Sequence, residues 1–145
     1  RLYGSRFLDV FSGTGSIALE AVSRGAEEAV LLEKDADALH VIQENVAACR
    51  QQSRCTVMRG DSFASMSALA RQGRQFDLIY VDPPYQGGLY EEVLKNIAEK
   101  QLLAQEGLIL LEYAKNTSIS IENSIFFIYK EKCYGDTCVL YVKQK

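Results

Sequence analysis

From Arg6 onward, short β-rich runs alternate with longer stretches whose apolar residues recur at helical spacing, and few folds accommodate that alternation. "RFLDVF" (6–11), "AVLLEK" (29–34), "CTVMRGD" (55–61), "FDLIYV" (76–81) and "GLILLEY" (107–113) read as strands. Between them "IALEAVSRG" (17–25), "DADALHVIQENVAACRQQ" (35–52, with Asp35 as N-cap), residues 63–72 and "LYEEVLKNIAEKQLL" (89–103) read as helices. Units of strand, helix and strand cross over right-handedly and build a parallel sheet covered on both faces. The ending breaks this rule. "SIFFIYKEK" (124–132) and "TCVLYVK" (137–143) are separated only by "CYGD", too short for a parallel crossover, so they must form an antiparallel hairpin. The expectation is an α/β, doubly wound sheet of about seven strands, five of them parallel and the last two a hairpin.

At 145 residues the chain suits one domain, residues 1–145, with one active site. Its 48% hydrophobic and 24% charged residues exclude a disordered chain, and no run approaches the roughly 18 apolar residues of a spanning helix. The formal charge of −3 supplies no global field for nucleic acid, so any RNA or DNA backbone must be met by local basic residues or by a segment outside this chain. The four cysteines form no CxxC pair and the single histidine, His40, lies inside a helical pattern, so no metal site is expected. Cys133 and Cys138 can face each other across the hairpin, yet nothing signals an oxidising compartment. Reduced thiols in a cytoplasmic protein are the expectation.

Open α/β sheets bind ligands at the carboxyl ends of their strands, so the loops at 12–16, 33–35, 61–63 and 82–88 should share one rim. Gly13 and Gly15 lie just past the first strand and open a helix, where backbone amides are accessible to a ligand. Glu33 ends the next strand, twenty residues after Gly13, where a carboxylate can take both hydroxyls of a ribose. These features point to an adenosine-containing cofactor and fit NAD as well as other nucleosides. Asp61 can accept from an adenine amine or cap the helix that follows. In "YVDPPYQGG" (80–88) Pro83 and Pro84 end the fourth strand and stiffen its exit, holding Asp82 at the rim beside Tyr85. A nucleobase amine is a poor nucleophile because its lone pair is delocalised into the ring. Asp82 and the carbonyl of Pro83, as acceptors around its hydrogens, can free that lone pair, while Tyr85 offers a face for an extruded base to stack on.

"DVFSGTG", Glu33, "GD" at 60–61 and "DPPY" at 82–85 together resemble the class I S-adenosylmethionine-dependent methyltransferases that modify exocyclic base amines. The final hairpin matches the seventh strand of that Rossmann-like fold. More narrowly, "LDVFSGTGSIALEAVSRGA", "EKDADAL", "FDLIYVDPPY" and "CYGDT" resemble the bacterial 16S ribosomal RNA (guanine(966)-N(2))-methyltransferases, along nearly the whole chain. The resemblance implies S-adenosylmethionine as cofactor, with Asp9, Gly13 and Gly15 around its methionine part, Glu33 on the ribose, Lys34 near the adenine and Asp61 on the adenine amine. Asp82, Pro83 and Tyr85 would act on the target guanine, with Pro84 and Tyr85 lining its site. The implied substrate is small-subunit ribosomal RNA or a partly assembled small subunit; from the residues themselves, the absence of a long exposed apolar stripe makes a monomer the expectation, and no membrane attachment is expected. N6-adenine methylation of DNA or RNA uses the same motif, and a non-catalytic subunit that binds RNA or protein is the reading from another class. Members of this family carry an N-terminal basic segment before the first strand, which this chain is expected to lack. Residues 115–120 form a short connection where such folds often carry another helix, and Tyr134 to Thr137 suit a hairpin turn.

Overall fold

The structure, a computed structural model, describes residues 2–84, 89–121 and 124–145. Among these residues seven strands form one sheet: β1 (Arg6–Asp9), β2 (Glu28–Glu33), β3 (Cys55–Arg59), β4 (Phe76–Val81), β5 (Leu103–Ala114), β6 (Phe126–Tyr134) and β7 (Thr137–Gln144). Their order across the sheet is β3-β2-β1-β4-β5-β7-β6. The first five are parallel, and β7 is antiparallel to both β5 and β6. The expected α/β sheet with a terminal hairpin is therefore present. β1 sits where the strand order reverses, flanked by β2 and β4, and at such a switch point the loops on either side diverge and leave a crevice.

Among the described residues four helices intervene: α1 (Ser16–Ser23), α2 (Ala36–Ala48), α3 (Ser62–Arg71) and α4 (Leu89–Glu99). Side-chain alternation along each strand separates two cores. Leu8, Val30, Ile79 and Ile109 face α3 and α4, while Phe7, Leu31 and Tyr80 face α1 and α2. β2 is buried along "AVLL" on both faces, which is why its sequence is a continuous apolar run rather than an alternating one. Asp35 caps α2 as expected, its Oδ2 accepting from the Ala38 amide at 2.8 Å. Gly135 (φ +59) and Asp136 form a two-residue turn between β6 and β7, with glycine at the position that a primed hairpin turn requires.

Two expectations need correction. The helix that was to run to residue 103 ends at Glu99, and Leu103 opens β5 instead. Gln101 takes a left-handed φ of 53°, which stops the helix, and the Leu102 carbonyl then accepts from the Phe76 amide at 2.8 Å. Two consecutive leucines satisfy either period, and burial against the sheet decides between them. Residues 115–120 form a short connection without a helix, as the sequence suggested. Finally, Cys133 and Cys138 form a disulfide. The β6–β7 register sets them directly opposite each other, so pairing needs no rearrangement of the chain. Cys49 and Cys55 are free. Glu131, Cys133 and Cys138 bring ligand-type atoms within 4.8 Å of one another, but both sulfurs are joined in the disulfide. No helix among the described residues is long and apolar enough to cross a membrane.

β5 reaches its partner only through an irregularity, pairing Phe76 with Leu103 and then Leu78 with Leu108. Gly107 lies in this bend, where a Cβ would come within 2.6 Å of Leu103 Cδ1 and 2.8 Å of the Ala104 carbonyl oxygen. Since the backbone oxygen cannot move aside, Gly107→Ala should lower the unfolding free energy by about 1–3 kcal/mol, the usual cost of overpacking. Urea denaturation of the two proteins measures this, and an unchanged midpoint would contradict the packing described.

Candidate active site

A cavity of about 550 Å³ opens at the carboxyl ends of β1, β2 and β4. Its walls include Asp9, Gly13, Glu33, Lys34, Asp61, Asp82 and Pro84, so seven of the residues singled out in the sequence meet in one place. Each arrives there because it ends a strand or follows one. Asp9 is the last residue of β1, Glu33 the last of β2, and Asp82 the first beyond β4.

Asp9 forms the base of the cleft. It is 1% exposed, and its Oδ1 is buried without a hydrogen-bond partner. Such an atom is costly unless a ligand supplies the missing donor. Burial is the main reason its pKa is pushed up to about 7; the Ser12 hydroxyl opposes the shift, while the charges of Asp82 and Glu33 add to it. Asp82 is half-buried and pushed up to about 6, first by burial and then by the charge of Glu112. Glu112 lies on β5 and accepts from the Tyr80 hydroxyl at 2.5 Å. Burial first, and then that hydrogen bond, hold the Tyr80 hydroxyl well above its ordinary pKa.

The first glycine loop is shaped by Glu33. One oxygen accepts from the Gly13 amide at 2.8 Å and the other from the Asp35 amide at 3.0 Å, tying the loop after β1 to the start of α2. A carboxylate offers about four lone-pair sites, so this bridging leaves capacity for two further donors. Gly13 takes a φ of +58° and has open space where a Cβ would stand. Gly15 behaves differently: it is absent from the cavity wall, caps α1 at φ +79°, and a Cβ there would lie 3.1 Å from Leu31 Cδ2. Its glycine character thus answers to turn and packing. Asp61 caps α3, its Oδ2 accepting from the Ala64 amide at 3.0 Å, and lines the cavity as well. Pro83 is buried and outside the lining, while Pro84 is exposed and within it. Tyr85 lies outside the described residues.

Several lining residues were not singled out in the sequence, among them Phe11, Ser12, Ile17, Phe63 and Tyr80. Tyr80 reads as core of a buried strand. The available signal is parity, since residues 80 and 82 alternate to the same face and Asp9 pairs with Tyr80 across β1 and β4. Ser12 and Phe63 adjoin residues already placed on the rim, but neither carries a chemistry that spacing alone would pick out.

Strand order and cleft together define a Rossmann-like methyltransferase domain. The chain belongs to the family described as conserved hypothetical protein 95, whose model matches residues 1–143. It is 28% identical over 142 residues to "Putative rRNA methyltransferase YlbH" of Bacillus subtilis (strain 168), covering 98% of this chain and 77% of that protein. It is 31% identical over 128 residues to "Ribosomal RNA small subunit methyltransferase D" of Escherichia coli (strain K12), covering 88% of this chain and 63% of that protein. Among solved structures, a conserved hypothetical protein of Streptococcus pyogenes superposes with a TM-score of 0.89 at 33% identity, covering 99% of this chain and 88% of that one.

Because Asp9 binds its proton more tightly in the folded protein (about 7) than a solvent-exposed aspartate does (3.8), the ligand-free protein should lose stability as pH rises between those two values. Asp9→Asn removes the ionisation. The variant's melting temperature should therefore gain on the parent's between about pH 5 and about pH 8, as scanning calorimetry without ligand would record. A constant difference across that range would show that Asp9 is not a strained acid.

Proposed function

We propose that this chain transfers a methyl group from S-adenosylmethionine to the exocyclic N2 amine of a guanine in small-subunit ribosomal RNA. The observation that carries this reading is the pairing of Asp9 and Asp82 on either side of the switch point, one a buried acceptor without a donor and the other a half-buried acceptor at the cavity mouth. A cofactor with a cationic amine, a ribose and an adenine fits this set: Asp9 for the amine, Glu33 for the ribose hydroxyls, Asp61 for the adenine amine and Lys34 beside the base. Gly13 leaves room for the methionine part, and Gly15 supports that loop from behind. When bound, S-adenosylmethionine supplies an electrophilic methyl group.

The chain's own residues then prepare the nucleophile. A carboxylate oxygen of Asp82 accepts from the guanine N2 amine, assisted by the Pro83 carbonyl, and draws the nitrogen lone pair out of conjugation. Pro84 and Tyr85 flank the base. As the new N–C bond forms the methyl's S–C bond would break, its electron pair staying on the departing thioether sulfur; the nitrogen then carries a surplus proton that Asp82 is placed to accept, and a pKa of about 6 makes it a better acceptor than an ordinary aspartate. The rate gain comes mainly from holding both reactants in line. The names of the Bacillus and Escherichia relatives support ribosomal RNA as substrate, and a base-amine acceptor at Asp82 supports the amine.

The test incubates the protein with labelled S-adenosylmethionine and unmethylated small ribosomal subunits, then digests the RNA to nucleosides. Label is expected in N2-methylguanosine and should vanish in Asp82→Ala; label in N6-methyladenosine, or preferential binding of NADH, would overturn the reading. Methylation should also fall as pH drops through about 6, where Asp82 takes up its proton. Asp82→Asn, slower but untitratable, should lack that limb of the profile. If both proteins show the same acid limb, another group is responsible.

A further inference from the structure

We propose that the open sheet face of β5, β7 and β6 is a platform for single-stranded RNA flanking the target base, with Lys130, Lys132 and Lys143 meeting phosphates and Tyr129, Tyr134 and Tyr141 stacking on bases. It rests on the RNA-methyltransferase reading above and extends it from the reacting base to the strand on either side.

The face is defined by register. Past an irregularity between Ile128 and Lys130, Lys130 pairs with Tyr141, Lys132 with Val139 and Tyr134 with Thr137. Through β7 the same face continues to β5, where Tyr141 pairs with Leu110 and Val139 with Glu112. It is the opposite side from Cys138, Leu140 and Val142, which are buried in the core with α3 and α4. α1 and α2 pack over β1, β2 and β3 on this side, and no helix among the described residues lies across β5, β7 and β6 there.

What remains exposed is basic and aromatic. Lys143 Nζ stands 4.0 Å from the Tyr129 ring centroid and Lys130 Nζ 4.9 Å from that of Tyr141, so cations and rings are already interleaved. Among the described strand residues the carboxylate that the register sets on this face is Glu112, which accepts from the Tyr80 hydroxyl. Glu131 alternates to the opposite side, where the Tyr113 hydroxyl donates to it, and Asp136 sits in the turn, so in a chain of formal charge −3 the lysines are gathered on this side of the hairpin. Lysines on an edge strand also deter strand pairing between molecules. That role does not account for Tyr129 at 54% and Tyr134 at 66% exposure, because exposed rings raise the risk of association. Lysines for the backbone and rings for the bases are the two parts of a single-strand binding surface.

The platform also lies in the right place. β6 runs parallel to β4, since β7 is antiparallel to each of its neighbours. Its carboxyl end at Tyr134 therefore reaches the rim that carries Asp82. From Asp82 to Lys132 the path crosses three inter-strand steps, through Glu112 and Val139, or about 14 Å at about 4.8 Å per step. A base held at Asp82 would leave its neighbours within reach of these lysines.

The experiment measures binding of the protein to a short single-stranded RNA and, separately, to unmethylated small ribosomal subunits, across salt concentrations. Lys130→Gln with Lys132→Gln should weaken binding to the RNA and flatten the slope of log K against log salt by about 1.4, at about 0.7 per phosphate contact. Tyr134→Ala should weaken it by about 5- to 150-fold, with Tyr134→Phe close to the parent. Binding of S-adenosylhomocysteine and the melting temperature should be unchanged in all of these. If the parent binds RNA and the lysine variant matches it in affinity and slope, the platform is refuted while the methyltransferase reading stands. Should the variants lose small subunits but keep naked RNA, the face serves a protein partner and the proposal fails. A parent that binds S-adenosylhomocysteine but neither RNA nor subunits would overturn the RNA reading itself, and the platform with it.

Discussion

Parallel pairing of β1 with both β2 and β4 is the constraint on which the rest depends. Its register sets Asp9 against Leu31 on one side and Tyr80 on the other. Because side chains alternate, a slip of one residue would turn Leu8 toward the cleft and drive Asp9 into the core held by Val30 and Ile79. An ionised carboxylate there would have neither solvent nor partner. The same pairing that buries Leu8 therefore delivers a carboxylate to the base of the crevice, and the loops diverging from β1 supply the walls. Fold and site are set by one register.

The cleft concentrates negative charge. Asp9 and Asp82 each raise the cost of a second nearby anion, Glu33 adds to the field at Asp9, and Glu112 adds to it at Asp82. Such a set is unfavourable when empty and favourable around a cationic, donor-rich ligand. On the reading proposed above, an enzyme acting on a polyanion would face a conflict here, since acids that suit a cationic cofactor repel phosphate. The sheet separates the two demands in space. The acids lie at the switch point, and Lys130 and Lys132 lie three strands away on the edge strand, beyond the roughly 8 Å over which exposed charges interact strongly at physiological ionic strength.

The parts legible in the sequence are those where one local pattern has one physical solution. β2 and β4 are continuous apolar runs ending in an acid, so both the strands and the rim positions of Glu33 and Asp82 could be read directly. The four-residue separation of the last two strands dictated a hairpin. Where two solutions compete locally, tertiary contacts decide. Leu102 and Leu103 suit a helix or a strand, and only Phe76 across the sheet selects the strand. Gly15 shows a related ambiguity: a glycine at a turn looks the same in sequence whether it leaves room for a ligand or for a leucine, and Leu31 is the neighbour a Cβ would meet here. The hairpin disulfide depends on redox environment as well as register, and composition suggested the reduced state.

Order within the terminal hairpin is the step that sequence could not supply and that matters most at the sheet edge. Either strand could have paired with β5. The alternation of Cys138, Leu140 and Val142 gives β7 a full apolar face, which fits it between two neighbours. β6 buries only Phe126 along its length and is left outside. With β7 inserted, β6 is returned to the direction of β4, so its end faces the same rim as Asp82. Had β6 taken the inner place instead, it would run antiparallel to β5 and present Phe126, rather than Tyr134, at that rim. The apolar pattern of one strand thus determines which residues of the other stand beside the active site.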